Sequence, residues 1–183
     1  MPFGAQDERT FRKTMSKFPT GVTLLTTMAS GRPRGVTASG FAALSAQPPL
    51  VLICAGSSLS LDRRDGFAVS VLAQHQHDAA LRFAEGRRRQ TGQVFDCVPW
   101  WPARVSGAPV LSGSVAWFDC TVHDLIETGQ QTIIVGAVCD LGHVNGEPLL
   151  QVDGGYRGLE HPAPPPLLPG AGHGALLSFA AHP

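Results

Sequence analysis

No stretch of this sequence approaches the ~20 consecutive apolar residues that a bilayer-spanning helix needs. Charge of either sign is not in excess: fourteen basic residues stand against fourteen acidic ones. The first absence excludes a membrane-spanning helix, and the second removes the global field that would draw in nucleic acid or an anionic membrane. The one local exception, Arg87, Arg88 and Arg89, reads as a solvated loop. Cysteine is sparse, and Cys54, Cys97, Cys120 and Cys139 are scattered with no C-x-x-C spacing for zinc or a redox pair. No metal site is expected. Three of the four thiols fall in strand-like apolar runs, where burial is expected. There is no G-x-S-x-G elbow and no Ser/His/Asp order suited to acyl transfer. The N-terminus, MPFGAQDERTF, is charged early and lacks the apolar core of a secretory signal, so a cytoplasmic protein is expected.

What is present reads as short strands with two helices. Phe11, Met15 and Phe18 recur at i, i+4 and i+7, which predicts a helix over residues 7–18 that Pro19 ends. Residues 21–28 (GVTLLTTM) and 34–39 are strands around the turn ASGRP, and 41–44 is a short strand before Gln47, Pro48 and Pro49. The continuous run LVLICA at 50–55 suits a strand buried on both faces. Ser57 or Ser58 would cap a short helix at 59–64, a strand follows at 66–72, and a second amphipathic helix at 75–85. Residues 87–107 form a long irregular connection holding VPWWP, a length more often functional or partner-covered than idle.

In residues 111–126, Ala116, Phe118, Cys120 and Val122 alternate with Trp117, Asp119, Thr121 and His123. A turn at Thr128, Gly129 and Gln130 leads into a long strand over 131–144, and 148–152 and 156–159 are the last ordered pieces. Without β-α-β-α alternation, the pattern indicates a mainly β fold, an antiparallel barrel with added helices, in one domain over residues 1–162. Residues 163–183 form a Pro/Gly-rich tail without period, expected to be disordered.

Two signals carry less than they suggest. Gly170 opens GAGHG, which has neither the spacing nor the strand and helix of a dinucleotide fingerprint. His75 and His77 stand two apart at a helix start, which suits solvated histidines better than metal ligands.

The informative stretch is residues 34–60, RGVTASGFAALSAQPPLVLICAGSSLS. Thr37, Ala38, Ser39 and Gly40 lie on one side of the apolar run, and Ser57 and Ser58 on the other. Small side chains let a flat ligand lie close to the backbone, and hydroxyls beside free N–H groups suit a phosphate. The same residues also suit two polar turns around a buried strand.

In order, FRKTMSKFPTGVTLLTT, GVTASGFAALSAQPPLVLICAGSSLSL, GFAVSVL, VPW, GAPVLSGSVAWFDCTV, TIIVGAV and GEPLLQVDGGYRGL resemble the short-chain flavin reductase family. These are FMN-binding split-barrel enzymes that supply reduced flavin to two-component monooxygenases. The resemblance runs from Phe11 to Leu159. It implies a split β-barrel, FMN or FAD, NADH or NADPH as electron donor, a homodimer and a partner oxygenase. It places Thr37, Ala38 and Ser39, with Gly40 and Cys54, along the isoalloxazine and ribityl chain, and Ser57, Ser58 and Leu59 near the flavin phosphate. The segment of Arg82 and Phe83 would close over the flavin, with Tyr156 and Arg157 at the pocket rim. Gln131 stands where such proteins commonly carry a histidine on the nicotinamide side, Ser70 where asparagine is common, and Gln151 where an aromatic residue or histidine is common. That replacement at 131 leaves two alternatives to reductase activity: a non-reducing flavin-binding protein, or a split barrel repurposed for another small-molecule reaction.

Overall fold

The computed structural model describes residues 4–56, 59, 61–85 and 91–159. Ser57, Ser58, the Arg87 to Arg89 run, Gly170 and the 163–183 segment lie outside the described residues.

Helix α1 (Ala5–Met15) begins where the Gly4 N–H donates to Asp7 Oδ2 at 2.8 Å. Asp7 and Glu8 occupy its first turn and Arg12 and Lys13 its last, each sign at the end the helix dipole favours. It stops short of residue 18. The Lys17 and Phe18 N–H groups turn back to the carbonyls of Thr14 and Met15, three residues away, and tighten the end before Pro19.

Then come β1 (Thr20–Gly21), β2 (Thr23–Ala29), β3 (Arg32–Ala38), β4 (Gly40–Ala46), β5 (Pro49–Gly56) and β6 (Gly66–Val71). A 3-10 turn (Gln74–Gln76) leads into α2 (His77–Glu85). After a second 3-10 segment (Thr91–Asp96) the chain forms β7 (Trp100–Pro102), β8 (Pro109–Leu111), β9 (Ala116–Thr128), β10 (Gln131–His143), β11 (Leu150–Val152) and β12 (Gly155–Arg157). No described helix is long and apolar enough to cross a membrane.

Seven strands make one antiparallel sheet in the order β3-β2-β6-β9-β10-β5-β4. Its two outermost strands, β3 and β4, are joined by the single residue Ser39. A flat sheet cannot meet that condition, so the sheet curls until its edges touch, and β3 comes back into contact with β5. Gly40 makes the junction possible, because a Cβ there would sit 2.9 Å from Cys54 Cβ.

Leu25, Val36, Val51, Ile53, Phe67, Val69, Cys120 and Ile134 fill the curled interior. A second core forms on the outside of β2 and β3, where Leu24 and Leu72 meet Ala80 and Phe83 of α2 and Phe95 of the Thr91–Asp96 segment. The Phe83 and Phe95 rings meet edge to face at 5.0 Å. Both press on Gly35, where a Cβ would lie 3.0 Å from Phe95 and 3.3 Å from Phe83. Along the sheet, the Thr23 and Thr27 hydroxyls donate to the carbonyls of Ala38 and Gly66 on neighbouring strands, while the Thr26 hydroxyl donates to the Pro109 carbonyl of β8.

Four expectations change. Residues 61–65 form a turn rather than the end of a helix at 59–64: the Asp62 N–H donates to Asp65 Oδ2 at 2.7 Å and the Asp65 N–H to the Asp62 carbonyl at 3.0 Å. Leu59 and Leu61, two apart, both enter the barrel core, which an extended chain permits and a helix does not. Within 87–107 the connection is not wholly irregular, since β7 and β8 pair and Trp101 stacks edge-on against Trp117 at 5.0 Å. LVLICA is not buried on both faces: Val51, Ile53 and Ala55 are, while Leu50, Leu52 and Cys54 on the outer face are only part-buried. For the same reason Cys120 alone of the strand thiols is fully buried, Cys54 being intermediate and Cys139 exposed. Burial, with the charges of Cys139 and Asp119, pushes the Cys120 thiol up to about 12.

Asp119 is wholly buried on the face of β9 opposite Cys120. Its carboxylate accepts the N–H groups of Val105 at 2.6 Å and Ser106 at 3.1 Å, and so pins the 103–108 loop over the sheet. Hydrogen bonds to a charged acceptor contribute about 1.5–3 kcal/mol. Asp119→Asn should lower unfolding free energy by about 2 kcal/mol in urea titration; unchanged stability would show that the loop does not depend on this carboxylate.

Candidate active site

The junction that closes the barrel also opens a cavity. Thr37, Ala38 and Ser39 line one wall of a space of about 670 Å3, faced by Gln151, Gly154 and Tyr156 from the β11–β12 hairpin and by Ala84 of α2. Among the described residues β3 pairs with β2 on one side only, so its other side offers main-chain N–H and C=O groups with no strand partner there. The Ala38 carbonyl is held by the Thr23 hydroxyl at 2.7 Å, which fixes the strand at this point.

Strand register gathers other candidates at the same end. Gly40 lies opposite Cys54, so the chain before it runs beside the end of β5. Gly56, the last residue of β5, lies opposite Gln131 at the start of β10. Gln131 is exposed and is not among the residues lining the cavity.

The remaining candidates separate. The Leu59 side chain is buried in the barrel core and its N–H donates to the Gly56 carbonyl at 3.3 Å. Phe83 is fully buried beneath β3, which leaves its neighbour Ala84 to face the cavity, and Arg82 is exposed. Ser70 is buried and its hydroxyl accepts the Leu111 N–H at 3.1 Å, away from the cavity. Arg157 is exposed and its guanidinium folds back on the Tyr156 carbonyl at 3.4 Å.

Tyr156 packs edge-on against the His77 ring at 5.3 Å. Sequence reasoning missed the opposite wall. Phe11, Arg12, Met15 and Phe18 line the cavity, although the spacing of the apolar three had indicated only a helix. His75 and His77 are both exposed, and no metal-binding group of His, Cys, Asp and Glu occurs among the described residues.

The flavin reductase like domain model matches residues 15–160. The chain belongs to that family. An NADH-dependent FAD reductase of Streptomyces globisporus is 42% identical over 137 residues, which cover 73% of this chain and 75% of that protein. The reductase subunit HsaB of a flavin-dependent monooxygenase from Mycobacterium tuberculosis is 36% identical over 161 residues, covering 84% of this chain and 83% of the relative. Among solved structures, the Streptomyces globisporus NADH:FAD oxidoreductase SgcE6 in complex with NAD and FAD fragments superimposes with a TM-score of 0.76. It is 36% identical, with 91% of this chain and 99% of that one covered.

The cavity of this flavin reductase barrel has room for a flat ligand of flavin size. The cavity lies within the ~300–1,000 Å3 typical of small-molecule sites, and Thr37, Ala38 and Ser39 leave room against an open strand edge. Tyr156, the single tyrosine of the chain, reports on the cavity. Burial raises its phenol above the ordinary 10.0. The folded state favours the neutral phenol, so the stability it lends is complete below about 10 and is lost as pH climbs through the folded value. Ultraviolet titration should find phenolate forming at higher pH in native protein than in guanidinium; coincident midpoints would contradict the burial.

Proposed function

We propose that this chain is an NAD(P)H-dependent flavin reductase. Hydride passes from nicotinamide C4 of NADH or NADPH to N5 of FMN or FAD, with a proton from solvent completing the reduced flavin, which leaves for a partner monooxygenase. The observation that carries this is the placement of the Thr37, Ala38 and Ser39 edge in a cavity of ligand size at the barrel junction. The relatives named as reductases, one of them a monooxygenase subunit, support it.

When bound, the flavin supplies the hydride-accepting ring. The protein supplies alignment and exclusion of water, which are worth several powers of ten when reacting atoms are held in contact. The strand edge at 37–39 would meet the polar rim of the ring, with the small side chains permitting close approach. Ser57 and Ser58 would meet the phosphate. Gln131 would hydrogen-bond the nicotinamide carboxamide, offering a donor and an acceptor where a histidine is usual. The catalytic unit is the barrel of residues 1–162, working in the cytoplasm, where reduced nicotinamide is available.

The enzyme acts as a homodimer. Leu50, Leu52 and Ile133 form a part-exposed apolar row on the outside of β5 and β10, beside Ile126, which is 47% exposed. A second copy of the same face would cover it.

Purified protein should oxidise NADH or NADPH when FMN or FAD is added and bleach the flavin anaerobically. Flavin binding without nicotinamide oxidation would favour the non-reducing alternative, and no flavin affinity the repurposed one. Gln131→Ala should raise KM for the nicotinamide about fivefold, one lost hydrogen bond, with KM for flavin unchanged; an unaltered nicotinamide KM would remove Gln131 from the site. Light scattering should give a dimer for wild type and a folded monomer for Leu52→Glu. A wild-type monomer would overturn the assembly.

A further inference from the structure

Helix α1 buries none of its described side chains. Residues 7–15 are all exposed, with Phe11 57% and Met15 51% exposed, and Phe18 just beyond is 66% exposed. An isolated helix of 11 residues is marginal in water without a packed face. Polar contacts tie the residues just past its C-terminal end to the β11–β12 turn. The Asp153 N–H donates to the Ser16 carbonyl at 2.7 Å, and Lys17 pairs with Asp153 at 2.6 Å. These contacts anchor the helix to the turn whose next residue, Gly154, lines the cavity. From that anchor α1 reaches across the cavity, so that Phe11, Met15 and Phe18 form a wall facing Thr37, Ser39 and Tyr156. The apolar face is therefore separated from the barrel by the cavity itself.

We infer that α1 is a substrate-binding element, and that the flat ring of the flavin lies between its apolar side and the 37–39 strand edge. This rests on the reductase reading and adds the second wall to it. Aromatic and thioether side chains pack well on a conjugated ring, which would bury two faces that water otherwise wets. The same chemistry would accept a nicotinamide or adenine ring, and kinetics separate the sources.

Arg9, Arg12, Lys13 and Lys17 make the helix a substrate for trypsin while it is open. In the full-length protein, saturating FMN, or FAD in a parallel arm, should slow cleavage at these sites about tenfold, whereas NADH alone should not. Phe11→Ser and Met15→Ser should each raise KM for flavin about five- to tenfold. KM for NADH and the melting temperature should hold, because the side chains are exposed. The inference is overturned if flavin binds without protecting α1. It is equally overturned if the variants raise KM for NADH instead, or if they turn a dimer into a monomer, which would make α1 a subunit contact. Should wild-type protein bind FMN yet oxidise neither nicotinamide, the reductase reading falls, while protection of α1 by FMN would still uphold this wall.

Discussion

A single residue separates the first and last strands of a seven-stranded sheet, and that constraint shapes the molecule. Ser39 leaves no slack, so β3 and β4 must meet and the sheet must close on a core of its own side chains. Closure is incomplete, because β3 has a strand on one side only. The barrel is therefore split where its chain is tightest. An open strand edge is ordinarily a liability, since it templates pairing with other chains. Here its last residues, Thr37 and Ala38, line a cavity walled on its other sides by the β11–β12 hairpin, α2 and α1.

The surroundings hold that edge still. Thr23 fixes the Ala38 carbonyl, and the Phe83 and Phe95 rings press on Gly35 from behind. Asp119 ties the 103–108 loop to the opposite part of the sheet. Each is a buried contact with its polar groups satisfied, consistent with a rigid barrel carrying a site on its rim. The rim elements contrast with it: the side chains of residues 7–15 in α1 are all exposed, and such sparsely packed segments are the ones that open at low cost. A reductase that admits two substrates and releases both products needs both properties.

Much of this was legible in the sequence because local pattern and tertiary role agree. The threonine-rich β2, the alternation in β9 and the T-A-S-G cluster at 37–40 all announce their places. The rest depends on what lies opposite, which no local pattern encodes. Phe11, Met15 and Phe18 have the spacing of a core face, yet they meet a cavity. Asp119 occupies the polar phase of an alternating strand, and only the distant 103–108 loop buries it. Leu50, Leu52 and Cys54 are as apolar as a doubly buried strand requires, but this chain covers only one face of it. Phe83 carried the expected ring, while its small neighbour Ala84 reaches the cavity.

Amide hydrogen exchange with and without FMN tests the central claim most directly. The account predicts slowed exchange concentrated at Thr37, Ala38, Ser39 and Gly40 and at the residues that follow Gly56, with β6 and β9 unaffected. Protection confined to a second cleft, where His75, Gly113, Asn145 and Glu147 meet, or spread evenly over the barrel, would contradict it.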